Sequence, residues 1–87
     1  MKGAWPLYVG RVEWQPCSSS AIAAYRWRDG VLELVYVEGR MIYDYPCSEM
    51  LFEEFLLAPS KGRFVNGVLK RDAERRGWTP TPRPFRD

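Results

Sequence analysis

Eighty-seven residues, 46% of them hydrophobic and 15% aromatic, make one folded domain with a small core and exclude both a second domain and a disordered chain. The absence of histidine removes imidazole from acid–base chemistry and from metal ligation, and no apolar run approaches the ~20 residues of a membrane span. The formal charge of +2 is unevenly spread: residues 1–59 hold 5 Lys/Arg against 8 Asp/Glu, whereas residues 60–87 hold 8 against 3, so a polyanion would meet the C-terminal third first.

In chain order, residues 8–14 alternate weakly and read as a strand, bounded by Pro6 and Pro16, that suits a sheet edge. Cys17-Ser18-Ser19-Ser20 is a polar connection whose hydroxyls suit backbone capping better than nucleophilic attack. Cys17 and Cys47 are too few for a disulfide framework and read as buried free thiols in a reducing cytoplasm. The N-terminus also lacks a signal-peptide apolar region.

Two glycine turns, Asp29-Gly30 and Glu38-Gly39, predict a three-stranded antiparallel meander over 22–28, 31–37 and 40–45. Two-residue turns at those places pair Trp27 with Leu32, Tyr25 with Leu34, Tyr45 with Leu32 and Tyr43 with Leu34. All of these fall on one aromatic–apolar face. The other face holds an Arg26–Glu33–Asp44 row and an Ala24–Val35–Ile42 row. That apolar row needs a cover, either the N-terminal segment with Trp5 and Trp14 or a second subunit.

Pro46 ends the meander, and Ser48 is placed to cap a helix with Glu49 in its first turn. Leu51, Phe52, Phe55 and Leu56 form its apolar stripe until Pro59 stops it. A second helix opens at Ser60-Lys61-Gly62-Arg63, buries Phe64, Val65, Val68 and Leu69, and is weakened at Asn66-Gly67. Residues 70–76 extend it as a solvated helix to Gly77. The expected fold is therefore α+β: an antiparallel meander of three to four strands with two short helices on one face. Residues 1–78 make the domain, and 79–87, with Pro80, Pro82 and Pro84, read as a flexible extended tail.

Ser19-Ser20-x-Ile22-x-x-Tyr25, Leu32-x-Leu34-x-Tyr36, Gly39, Tyr43-x-Tyr45, Phe52-x-x-Phe55-Leu56-x-Ala58 and Ser60-Lys61-Gly62-x-Phe64-x-Asn66 together resemble the KTSC domain. The likeness covers residues 12–70. Pro46 follows Tyr45 directly where the family often has Val-Pro, and the stretch after Asn66 matches poorly. The module is named after the C-terminus of some lysyl-tRNA synthetases and occurs as small bacterial and phage proteins. The resemblance implies an RNA-binding role with no catalytic activity.

The candidate site residues are those that would meet a nucleic acid. Ser60, Lys61, Gly62 and Arg63 combine a helix start with two full charges, an outline of a phosphate site, against the plainer reading of an N-cap flanked by solvated cations. Lys70 and Arg71 would track a phosphate backbone, with Asp72 and Glu74 diluting the patch. Tyr43 and Tyr45, with Tyr25 and Trp27, would stack on bases only where exposed, although the register places them under the helix. No cofactor, metal or enzymatic activity is expected: Cys17, Cys47 and Ser60 have no evident base beyond Lys61. The leading reading is a module for RNA or single-stranded DNA. The alternative is a protein-interaction module or homodimer using the second sheet face.

Overall fold

A computed structural model describes residues 13–86. Five antiparallel strands lie in the order of the chain: β1 (Gln15–Pro16), β2 (Ile22–Arg28), β3 (Val31–Tyr36), β4 (Met41–Pro46) and β5 (Arg83–Pro84). Helix α1 (Glu49–Leu57) follows β4. Next come α2 (Lys61–Phe64), a π-helical turn (Val65–Leu69) and α3 (Lys70–Arg75), which run on as one helix over 61–75. The fold is α+β with the helices on one sheet face, and the sheet has one strand more than expected.

The first turn is built as the sequence dictates. Asp29 and Gly30 take φ of 53° and 79°, the paired left-handed residues of the tight hairpin turn. The second differs: the positive φ angles fall on Gly39 (82°) and Arg40 (52°), and the turn spans residues 37–40. A four-residue loop centred on the same bond leaves the pairing unchanged, so Leu32 faces Tyr45, Leu34 faces Tyr43 and Val35 faces Ile42. Trp27–Leu32, Tyr25–Leu34 and Arg26–Glu33 pair as the first turn requires.

A bulge changes β2 at its start. Ala24 pairs with Val35 but Ile22 with Tyr36, so one extra residue sits on β2. The parity change turns Ile22 onto the helix-covered face, where it is 0% exposed among Leu32, Leu34, Tyr45 and Phe55. Without the bulge, Ile22 would share the Ala24 face.

Ser48 caps α1, its Oγ accepting from Leu51 N at 3.1 Å. Phe55 is fully buried, Leu51 and Phe52 are half-buried, and Leu56 lies at the rim, more exposed than its place in the predicted stripe implied. Trp27 stacks on Phe52 at 5.4 Å, and Tyr25 meets Phe55 edge-on at 5.3 Å. The long helix ends at Gly77 (φ +73°) in a Schellman cap: Trp78 N donates to Ala73 O and Gly77 N to Glu74 O. Trp78 then folds back onto the core, its Nε1–H donating to Asp44 O at 2.9 Å.

The segment read as a flexible tail is instead pinned to the sheet. Arg83 pairs with Ile42 and Pro84 with Met41, and Phe85 N donates to Arg40 O. Pro84 lacks an N–H and so belongs on a sheet edge, where β5 lies. Trp14 sits over the second face, 4.2 Å from the Arg26 guanidinium and edge-on to Phe85 at 5.5 Å. Of the strand expected over 8–14, residues 8–12 lie outside the described residues, as does Trp5; Trp14 itself precedes β1. Among the described residues no helix is long and apolar enough to cross a membrane.

Candidate functional site

Ser60 adopts extended backbone and caps the long helix, its Oγ accepting from Arg63 N at 3.3 Å. Lys61 points its ammonium at the end of α1, donating to Leu56 O at 3.0 Å and Ala58 O at 2.9 Å beside the Phe55 ring. The last carbonyls of a helix have no intrahelical donor, and a cation there also meets the negative end of the dipole. Lys61 thus fastens one helix to the next. At Gly62 an added Cβ would lie 3.2 Å from the Ala21 side chain, so the missing side chain admits the 19–22 loop rather than leaving open space for a ligand.

This packing brings together two motifs 40 residues apart. An open cleft of about 430 Å³ separates the Cys17–Ser20 connection from Ser60 and Lys61, with Tyr25 in its wall. Ser19 Oγ accepts from the backbone N–H groups of Ala21 and Ile22, the capping role its sequence context suggests. Burial pushes the Cys17 thiol up, against the smaller opposing effects of the Lys61 charge and the Ser19 backbone N–H. Burial, and then the neighbouring Cys17, raises the Tyr25 phenol. At neutral pH the cleft therefore offers a thiol and a phenol, both protonated, which is poor equipment for nucleophilic attack. Sequence reasoning weighed Cys17 and Ser60 separately; their meeting is tertiary and has no signal in local spacing.

The tyrosines do not form an open platform. Tyr45 is 2% exposed, and burial followed by the hydrogen bond and charge of Tyr36 raises its phenol strongly. Tyr43 is half-buried, edge-on to Tyr36 at 5.0 Å. Tyr25 already meets Phe52 and Phe55 edge-on, and Trp27 stacks on Phe52. Tyr45 is thus removed as a base-stacking residue, because the predicted register puts it beneath the helices.

Arg63, Lys70 and Arg71 are exposed on the long helix, and none has an ion pair among the described residues. Arg75 and Arg76 share Asp72, at 3.3 and 2.8 Å. On the opposite sheet face Glu33, 8% exposed, lies between Arg26 and Arg83, and Arg83 also reaches Asp44 at 3.7 Å. Burial alone would raise the Glu33 carboxyl. The hydrogen bonds and charges of Arg26 and Arg83 outweigh it and hold the group below the usual carboxylate range. No group of three or more metal-ligating side chains occurs among the described residues.

No family model matches the chain. A protein of Tsukamurella paurometabola is 40% identical over 58 residues, which span 64% of this chain and 87% of that protein. The crystal structure of a KTSC domain protein from Yersinia pestis superposes with a TM-score of 0.62 at 31% identity, covering 85% of this chain and 97% of the other. Shared fold and identity over nearly the whole of that domain place the chain in the KTSC domain family.

Proposed function

We propose that this protein is a small, non-catalytic nucleic-acid-binding module that holds RNA or single-stranded DNA by its phosphates. The observation that carries the reading is the set of three exposed cations on one continuous helix, Arg63, Lys70 and Arg71, in the +5 part of an otherwise acidic chain. Ser60, Lys61 and Gly62 belong to the same surface as its supports: they set the start of that helix and its angle to α1. Because Tyr45 is buried and the other sheet rings pack against neighbouring rings, contacts are to the backbone, so binding is tolerant of sequence and sensitive to salt. Both cysteines are free thiols, which supports a reducing cytoplasmic setting. The alternative, docking of a protein on the second sheet face, loses its apolar row: Val35 and Ile42 are 1% and 7% exposed.

The test is a fluorescence titration of the chain against labelled single-stranded RNA and DNA oligonucleotides at two salt concentrations. Saturable binding that weakens with salt, and weakens further in Lys70→Ala/Arg71→Ala, supports the reading. No saturable, salt-dependent binding at micromolar protein overturns it.

A further inference from the structure

We infer that the cleft between the Cys17–Ser20 connection and Ser60-Lys61 is a binding site for a phosphate monoester with a flat or apolar body, separate from the helix surface of Arg63, Lys70 and Arg71. Its volume of about 430 Å³ is that of a small-ligand pocket. Among the described residues that line it, Lys61 alone is charged, and no carboxylate is present to occupy it.

The side-chain hydrogen bonds already made around the cleft leave donors over rather than acceptors. Ser19 Oγ accepts from both Ala21 N and Ile22 N, at 3.0 and 3.2 Å, so its two lone pairs are taken and its O–H is left to donate. Ser60 Oγ accepts from Arg63 N at 3.3 Å and also keeps its proton. The Lys61 ammonium commits two of its three protons to Leu56 O and Ala58 O, at 3.0 and 2.9 Å, which hold it at the cleft instead of out over the helix surface. Those carbonyls do not neutralise its charge, and Lys61 has no ion pair among the described residues. That charge is felt at the Cys17 thiol in the cleft wall. The Tyr25 phenol, protonated at neutral pH, adds a further donor. Three hydroxyl protons and one uncompensated cation call for several acceptor oxygens carrying negative charge, which a phosphate monoester supplies on one atom. Pro16, Leu56 and Pro59 complete the wall with apolar surface for the body of the ligand.

Cys17 is the reporter, with buried Cys47 as the internal control. The full chain is alkylated with neutral iodoacetamide at pH 8, alone, with ~10 mM adenosine 5′-monophosphate, or with ~10 mM adenosine, and labelling is followed by mass spectrometry. The monophosphate should slow labelling of Cys17 by ~5-fold or more, which corresponds to a Kd of about 2.5 mM or below, and adenosine should leave the rate unchanged. Lys61→Met should remove the protection. Should circular dichroism show that variant unfolded, Ser18→Asp, which sets a carboxylate on the exposed rim of the cleft, replaces it with the same expected loss. A second arm uses a short oligoribonucleotide with and without a 5′-phosphate; protection by the phosphorylated strand and not by the free monophosphate assigns the site to a strand end. If neither phosphate compound protects Cys17 better than its counterpart without phosphate, or if protection survives the variant, the assignment is overturned. Salt-dependent oligonucleotide binding through Lys70 and Arg71 is read separately by the fluorescence titration and stands or falls without it.

Discussion

Deleting Gly67 should leave the fold intact and raise its stability, the reverse of what one lost residue does inside a regular helix. Val65, Leu69 and Ala73, at 1%, 0% and 2% exposure, are spaced four apart. At 3.6 residues per turn a row of fours winds about 40° per step, so in a regular helix Val65 and Ala73 would diverge by about 80°. The π-helical turn, closed by Lys70 N to Val65 O, absorbs one residue. Across it eight residues behave as seven, which leaves the two side chains within about 20° of one line. The surplus lies in Asn66-Gly67-Val68, all exposed, and a Cβ added at Gly67 would meet nothing within 4 Å. Removing Gly67 yields an unbroken α-helix with the same residues inward and deletes an interior glycine costing about 1 kcal/mol. For a domain of this size that is a rise of ~4–8 °C in Tm, read by thermal circular dichroism. Deleting exposed Arg71 is the control: it rotates Ala73 by about 100° and should cost several kcal/mol. A Gly67-deleted chain that melts ~5 °C or more below the unchanged protein, or no better than the control, refutes the phase argument.

Glu33→Gln should destabilise the chain by about 2–3 kcal/mol at pH 7, since it leaves Arg26 and Arg83 around an uncharged group whose partners are partly exposed. Because the folded Glu33 sits below its ordinary value, its contribution is present above about pH 4.3 and is lost as pH falls through the lowered value. Urea melts between pH 6 and 3 should therefore show a steeper acid loss in the unchanged chain than in the variant. Trp78→Phe removes the N–H donated to Asp44 O while keeping a ring on the core, and a loss of about 1 kcal/mol in urea melts is expected. Burial, then the Asp72 charge, pushes the Cys47 thiol up to about 12, whereas half-exposed Cys17 opens on the cleft. Alkylation at pH 8 should label Cys17 first and reach Cys47 only in denaturant; equal rates would mean the core is not closed.

The meander was legible because two glycine turns bracket β3, and a turn centre sets register whatever its loop length. That is why the second hairpin kept its pairing although its left-handed residues moved to Gly39 and Arg40. The bulge at the start of β2 left no such mark: Ile22-Ala23-Ala24 reads equally well in either parity, and only the apolar demand of the helix side decides it. The pinned tail is illegible in the sequence for a related reason. Its prolines exclude a central strand, but an edge strand held by Arg83 depends on carboxylates 39 and 50 positions away. Lys61 was legible as a charge at a helix start; its bonds to Leu56 and Ala58 arise from how tightly Pro59 folds the chain back.

The same tertiary contacts limit what the basic third could contribute to the proposed nucleic-acid binding. Of its eight cations, Lys61 is spent on α1 carbonyls, Arg83 on Glu33 and Asp44, and Arg75 and Arg76 share Asp72. Arg63, Lys70 and Arg71 remain on the helix, and the eighth, Arg86, lies exposed just past β5. Three phosphates neutralised on a single strand give a slope of log affinity against log salt of about −2, well short of what eight would give. Lys70→Ala/Arg71→Ala should flatten that slope by about 1.4. Arg75→Ala/Arg76→Ala should change it less, because Asp72 already offsets part of their charge. A slope near −3.5 that Arg75→Ala/Arg76→Ala returns to about −2 would show that the Asp72 pairs open on binding, and would extend the contact surface to the far end of the helix.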